Sequence, residues 1–173
     1  MQAFAVTIPG FEDVAAAEVK ELIEATAICK QSIILFETTE QDLAKLTYKG
    51  QSVVRTAQLL AQVVVDKTLV TTEENITKAL QPTLNDIPPI LKKKTFKVIT
   101  QRKGDHYFSS QEISAHIGAL FAKQKLKVEM ENPEMILFVF INEQQGYIGI
   151  DYAGIDLSKR DYKVYPHAEA LNG

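Results

Sequence analysis

The chain has a single cysteine, Cys29, so no disulfide can form within it and a thiolate metal cluster lacks the ligands it needs. Its three histidines, His106, His116 and His167, lie too far apart in sequence to suggest a local metal site. No apolar run approaches the roughly 20 residues that a membrane helix requires. The first ten residues, MQAFAVTIPG, carry no basic stretch and no small-residue cleavage pattern, so they do not read as a signal peptide. A cytoplasmic location is the expectation. Catalytic signatures are also missing. There is no Gly-x-Ser-x-Gly elbow, no Walker loop and no dinucleotide fingerprint. Gly146, Gly149 and Gly154 fall in a predicted hairpin, not between a strand and a helix.

What is present is an ordinary globular composition, 46% apolar and 24% charged over 173 residues, enough for one medium domain or two small ones. The net charge of −3 conceals a split between the halves. Residues 1–87 carry 12 acidic and 7 basic side chains, whereas residues 88–173 carry 10 acidic and 12 basic. Pro88 to Gly104 holds six lysines and arginines without one carboxylate. Such asymmetry fits a nucleic-acid-facing half, and fits a solvated lysine-rich edge equally well.

Hydrophobic periodicity predicts a strand over Ala3–Ile8, ended by Pro9-Gly10, and a helix over Phe11–Ile23 with Glu12 and Asp13 in its first turn. A strand follows at Ser32–Phe36. A second helix is expected over Glu40–Lys49, or onward past Gly50 towards Ala61, before a buried strand at Val63–Val65. This order suggests a split βαβ, ferredoxin-like unit. Thr71 or Thr72 is placed to cap a short helix with Ile76, Ala79 and Leu80, closed by Pro82. Thr95–Thr100 reads as a strand. Ser109 and Glu112 form a capping box for a helix whose apolar face is Ile113, Ile117, Leu120 and Phe121. Met135–Ile141 and Gly146–Asp151 are two strands joined by a hairpin-length connection. Cys29 reads as inert packing, and His116 as surface or half-buried packing.

No active site emerges, but a phosphate-binding surface does. Lys92, Lys93 and Lys94 precede the strand at Thr95, Lys97 lies within it, and Arg102 and Lys103 follow it. His106, Tyr107 and Phe108 lead into a helix start at Ser109 and Ser110, where free N–H groups and the helix dipole favour an anion. Tyr107 is a candidate to stack on an unpaired base, or else a cover for the core. Phe108 reads as core. Lys159 and Arg160, with Lys163 nearby, form a second basic point that suits either phosphate forking or a docking ion pair.

In order, TFKVITQRKGDHYFSSQEISAHIGALF, VEMENPEMILFVFI and GYIGIDYAGIDLSKRDYKVY closely resemble the THUMP domain of RNA-modifying enzymes. FAVTIPGFEDVAAAEVKEL with YKGQSVVRTAQLL resembles the ferredoxin-like domain that accompanies it. The exit GIDLSKRDY, followed by HAEAL, is similar to that of the archaeal methyltransferases that make N2-methylguanosine in tRNA. Asn132-Pro133-Glu134-Met135 resembles their Asn/Asp-Pro-Pro-aromatic motif but lacks its second proline and its ring, so it reads as a turn.

The resemblance implies an α+β chain in three parts: a ferredoxin-like domain over 1–68, an α/β THUMP domain over 69–155, and a linker over 156–173 towards a methyltransferase domain not included in the chain. It implies no catalytic residue and no metal here, with S-adenosylmethionine expected in the missing domain. The implied partner is tRNA, gripped at its acceptor stem and single-stranded 3′ end. The resemblance puts Arg102, Lys103, Ser109 and Ser110 near the RNA backbone, and Lys159 and Arg160 match the family's exit motif; the basic surface read from the residues adds Lys93, Lys94, Lys97, His106 and Tyr107 as RNA contacts. The alternatives are a stand-alone THUMP adaptor for a separate modifying enzyme, the N-terminal part of a thiouridine synthetase, and an enzyme with its own site between the two domains.

Overall fold

The computed structural model describes residues 1–89, 91–154 and 157, so Lys159 and Arg160 lie outside the described residues. The chain is α+β and divides into two compact units. The first holds Met1–Gln58 with Asp151–Gly154 and Leu157, and the second holds Leu59–Ile150.

In the first unit the order is β1 (Gln2–Thr7), α1 (Glu12–Ile23), β2 (Ala27–Lys30), β3 (Ile33–Glu37), α2 (Glu40–Lys49) and the start of β4 (Val53–Val64). The strands are hydrogen-bonded in the order β2-β3-β1-β4, with every pair antiparallel. This is the topology of a split βαβ, ferredoxin-like fold. Glu12 fixes the entry to α1 by accepting from the N–H groups of Gly10 and Ser32, both at 2.8 Å. Thr39 caps α2 by accepting from Asp42 N–H. Ala3, Ala5, Ala15, Val19, Ile34, Leu43, Leu46 and Leu157 fill the core. Arg55 on β4 forms an ion pair with Asp151 at 2.7 Å, with the carboxylate fully buried. Cys29, expected to be packing, is exposed instead; its strand, β2, is the edge of the sheet. Desolvation, with Asp13 and Glu12 adding to it, holds its thiol above the ordinary value.

α2 has the first of its two expected bounds, Glu40–Lys49, and the alternative run past Gly50 does not occur, because β4 starts at Val53 and runs twelve residues. Gly50 N–H closes α2 on Leu46 O, and Ser52 turns the chain by donating its backbone and hydroxyl protons to Glu18. Alternation of buried and exposed side chains towards Val64 then keeps the segment extended.

The second unit contains the rest of β4, then α3 (Leu69–Asn85), a short 3-10 turn (Leu91–Lys93), β5 (Thr95–Lys103), α4 (Ser110–Lys123), β6 (Lys127–Val128), β7 (Met135–Asn142) and β8 (Gln145–Asp151). The strands lie in the order β4-β8-β7-β5-β6. β5 pairs in parallel with both β7 and β6, and β7 pairs antiparallel with β8. Pro82 does not close α3. The buried stripe Thr72, Ile76, Leu80 and Leu84 continues through it, and burial of Leu84 helps to offset the roughly 3 kcal/mol that an interior proline costs. Leu80, Ile113, Ile117, Leu137, Val139 and Ile148 lie in one apolar core. Gly146 is required by close approach, since a Cβ there would meet Val63 Cγ1 at 2.5 Å. The predicted turn at 132–134 enters β7 as expected: Thr95 N–H donates to Glu134, and Glu134 N–H donates to Thr95 Oγ1.

Candidate functional site

The basic segment follows β5, and the strand sorts its residues. Side chains alternate between faces, so Phe96, Val98, Thr100 and Arg102 share the α4 side, whereas Lys97 and Lys103 project to the other. Nine strand residues span about 30 Å at roughly 3.3 Å each. Lys93 and Lys94 therefore lie at one end of β5, and Arg102 to Ser110 at the other.

At the far end the chain turns through Gly104, whose φ of 114° favours glycine. A Cβ there would lie 2.9 Å from both Glu143 Oε2 and the His106 ring. Arg102 Nη1 donates to Gly104 O at 3.0 Å and meets His106 Nδ1 at 3.1 Å. Because a guanidinium can only donate, Nδ1 must accept, which leaves the ring proton on Nε2. Nε2 is 2.8 Å from Glu143 O, an acceptor, so one neutral tautomer satisfies both contacts. The Arg102 guanidinium also lies 5.7 Å from the centre of the buried Phe108 ring. Its Nε is buried and has no partner among the described residues. Arg102 and His106 thus hold the loop from within.

The same loop presents Tyr107 to solvent, 75% exposed, while its N–H donates to Lys67 O at 2.9 Å. Lys67 is a cation at this end that spacing in the sequence did not reveal, since it belongs to the segment after β4. Phe108 is core, as read. The capping box is present: Ser109 Oγ accepts from Glu112 N–H, and Ser109 N–H donates to the Glu112 carboxylate at 2.7 Å. The backbone and hydroxyl of Ser109 hold the Glu112 carboxyl below its usual range. One helix-start donor is therefore already given to a carboxylate of the chain. Asp105 and Glu143 are also exposed at this end.

At the other end of β5, topology gathers lysines that are dispersed in the sequence. Lys127 is the register partner of Thr95, and Phe121, near the end of α4, contacts Phe96. Lys123, Lys125 and Lys127 thereby join Lys92, Lys93 and Lys94. Lys97 and Lys103 are both half-buried, and Lys103 Nζ lies 5.8 Å from the Phe140 ring centre. His116 is half-buried between α3 and α4, 3.0 Å from Thr77 Oγ1 and 3.5 Å from Glu73. Among the described residues no cluster of three metal-ligating side chains occurs, and no helix is long and apolar enough to cross a membrane.

Residues 70–151 match the family model of the THUMP domain. The chain is 27% identical to a tRNA (guanine(6)-N2)-methyltransferase of Archaeoglobus fulgidus, in an alignment that covers 98% of this chain and 44% of that protein. The chain thus spans less than half the length of this relative. Among solved structures it is similar to TrmN from Thermus thermophilus, with TM-score 0.66 and 20% identity over 94% of this chain and 48% of that one. A 4-thiouridine synthetase solved with RNA and ATP matches with TM-score 0.52 and 16% identity over 87% of this chain and 40% of that chain.

Proposed function

With residues 70–151 forming a THUMP domain, we propose that the chain is the RNA-binding N-terminal region of a tRNA guanine-N2 methyltransferase. It grips the acceptor stem and single-stranded 3′ end and performs no chemistry itself. The observation that carries this reading is the alignment of nearly the whole chain with 44% of a tRNA (guanine(6)-N2)-methyltransferase. The methyl donor, S-adenosylmethionine, would belong to a catalytic domain outside the residues described here. The Asn132-Pro133-Glu134 turn, spent on Thr95, does not fit such a site.

The RNA backbone follows Lys93, Lys94, Lys97 and Lys103 on the side of β5 away from α4, and reaches the loop at Tyr107 and the helix start at Ser109 and Ser110. Lys97 and Lys103 share a face by strand alternation, which supports that path. The exposed ring of Tyr107 stacks on an unpaired base of the 3′ end. Arg102 and His106 set the shape of the loop. Lys159 and Arg160 are proposed as further contacts to the RNA.

The test is a binding comparison between intact tRNA and tRNA trimmed of its single-stranded 3′ end. The trimmed molecule should bind more weakly to the wild-type chain and equally to Tyr107→Ala. Equal binding of both molecules to the wild type would refute recognition of the 3′ end.

A further inference from the structure

A groove of about 540 Å³ runs between α4 and β5 on the side opposite the lysine path. Its floor is Phe96, Val98 and Thr100, and its helix wall is built from small side chains that include Ser114, Gly118 and Ala122. Val128 and Met130 close one end while 54% and 66% exposed. A Cβ placed on Gly118 would find only Val98 Cγ2, at 3.9 Å.

The groove borders an open sheet edge. β6 pairs with β5 only at Thr95 and Phe96, and among the described residues no strand lies beyond β5 on that side after Phe96. Glu129 N–H donates to Phe96 O, so the backbone groups of Phe96 face this edge. By alternation those of Val98, Thr100 and Arg102 do too. An open edge with apolar pockets beside it is the arrangement that accepts an added strand. The chain has already begun that addition with its own residues 127–129.

We propose that this groove binds an extended protein segment that continues β6 along β5, with apolar side chains at alternate positions in the groove and acidic residues at the β6 end. The acidic preference follows from Lys92, Lys93, Lys123, Lys125 and Lys127, all exposed at that end and outnumbering Glu129, Glu131 and Glu134. The groove meets the proposed RNA path only at Ser110, at its far end, and the rest of its lining lies off that path.

The probe is a fluorescein-labelled heptapeptide, Asp-Glu-Val-Thr-Val-Thr-Val, titrated into the full 173-residue chain with amide hydrogen exchange as a second readout. Binding should slow exchange at Val98, Thr100 and Arg102 and leave Lys97, Ile99 and Gln101 unchanged. Gly118→Leu, which fills the groove without a backbone clash, should weaken the peptide by at least about tenfold and leave tRNA binding intact. The proposal is overturned if the peptide fails to bind at millimolar concentration, or if Gly118→Leu binds it as well as the wild type. It is also overturned if the same amides are protected by self-association of the chain, or by a short RNA in place of the peptide.

Discussion

Arg102 Nη1 lies 3.1 Å from His106 Nδ1, and the opposite nitrogen of that ring reaches Glu143 O at 2.8 Å. One arginine on β5 is thereby connected through one imidazole to the β7–β8 turn. The loop that exposes Tyr107 depends on this chain of contacts more than on the charge of Arg102.

Replacing Arg102 with Met should therefore change global stability by less than about 1 kcal/mol, because the hydrogen bonds lost are offset by removal of a buried, unmet Nε donor. Local effects should be larger. Exchange at the Tyr107 amide, bonded to Lys67 O, should speed up, and RNA affinity should fall without a change in its salt dependence. A reduced salt slope would instead mark Arg102 as a phosphate contact.

Tyr107 is exposed and outside the core, so Tyr107→Ala should leave the denaturation midpoint almost unchanged. A lost base stack of about 1–3 kcal/mol should weaken binding of a single-stranded 3′ end by roughly 5- to 150-fold. Tyr107→Phe should retain most of the affinity. Equal losses in both variants would exclude stacking.

The Arg55–Asp151 pair makes a pH-dependent prediction. Burial pushes the Asp151 carboxyl above its ordinary value, and Arg55 and the backbone of Ala153 and Gly154 only partly oppose this. The folded state therefore binds the proton more readily than the unfolded one, and this group contributes stability that declines as pH rises from the ordinary carboxylate value through the raised one. Arg55→Ala leaves a buried charge unpaired and should cost about 3–5 kcal/mol near neutrality. Denaturant titrations should find a smaller loss at a pH where Asp151 is protonated. A loss independent of pH would contradict the assignment.

Glu112 behaves in the opposite sense. Its carboxyl is held low by Ser109, so its contribution is present above the unfolded carboxylate value and disappears as pH falls through the folded one. Ser109→Ala should cost about 1 kcal/mol. Glu112→Gln should remove this part of the acid-side pH dependence in a thermal melt, and an unchanged profile would count against it.

The capping box, the β7–β8 hairpin and the core position of Phe108 were legible because each depends on residues close in sequence. Three other features were not. The length of β4 was hidden by the ambiguous run after Gly50, where the Glu18 contacts at Ser52 and the antiparallel pairing with β1 are distant in sequence. α3 runs through Pro82 because tertiary burial of Leu84 outweighs local propensity. The gathering of Lys123, Lys125 and Lys127 beside Thr95 depends on a parallel pairing that no local pattern encodes. The sequence placed Arg102 among the phosphate contacts, and its Nη1 contacts to Gly104 O and His106 Nδ1 are a further feature that spacing did not reveal.

The most direct measurement is tRNA affinity as a function of salt, for the wild-type chain and for a variant with Lys93, Lys94, Lys97 and Lys103 all replaced by Ala. Four phosphate contacts from these lysines predict that a fourfold rise in salt weakens the wild type by at least about a hundredfold, and that the variant loses most of that dependence. A wild-type affinity indifferent to salt, or a variant with the same slope, would contradict the account.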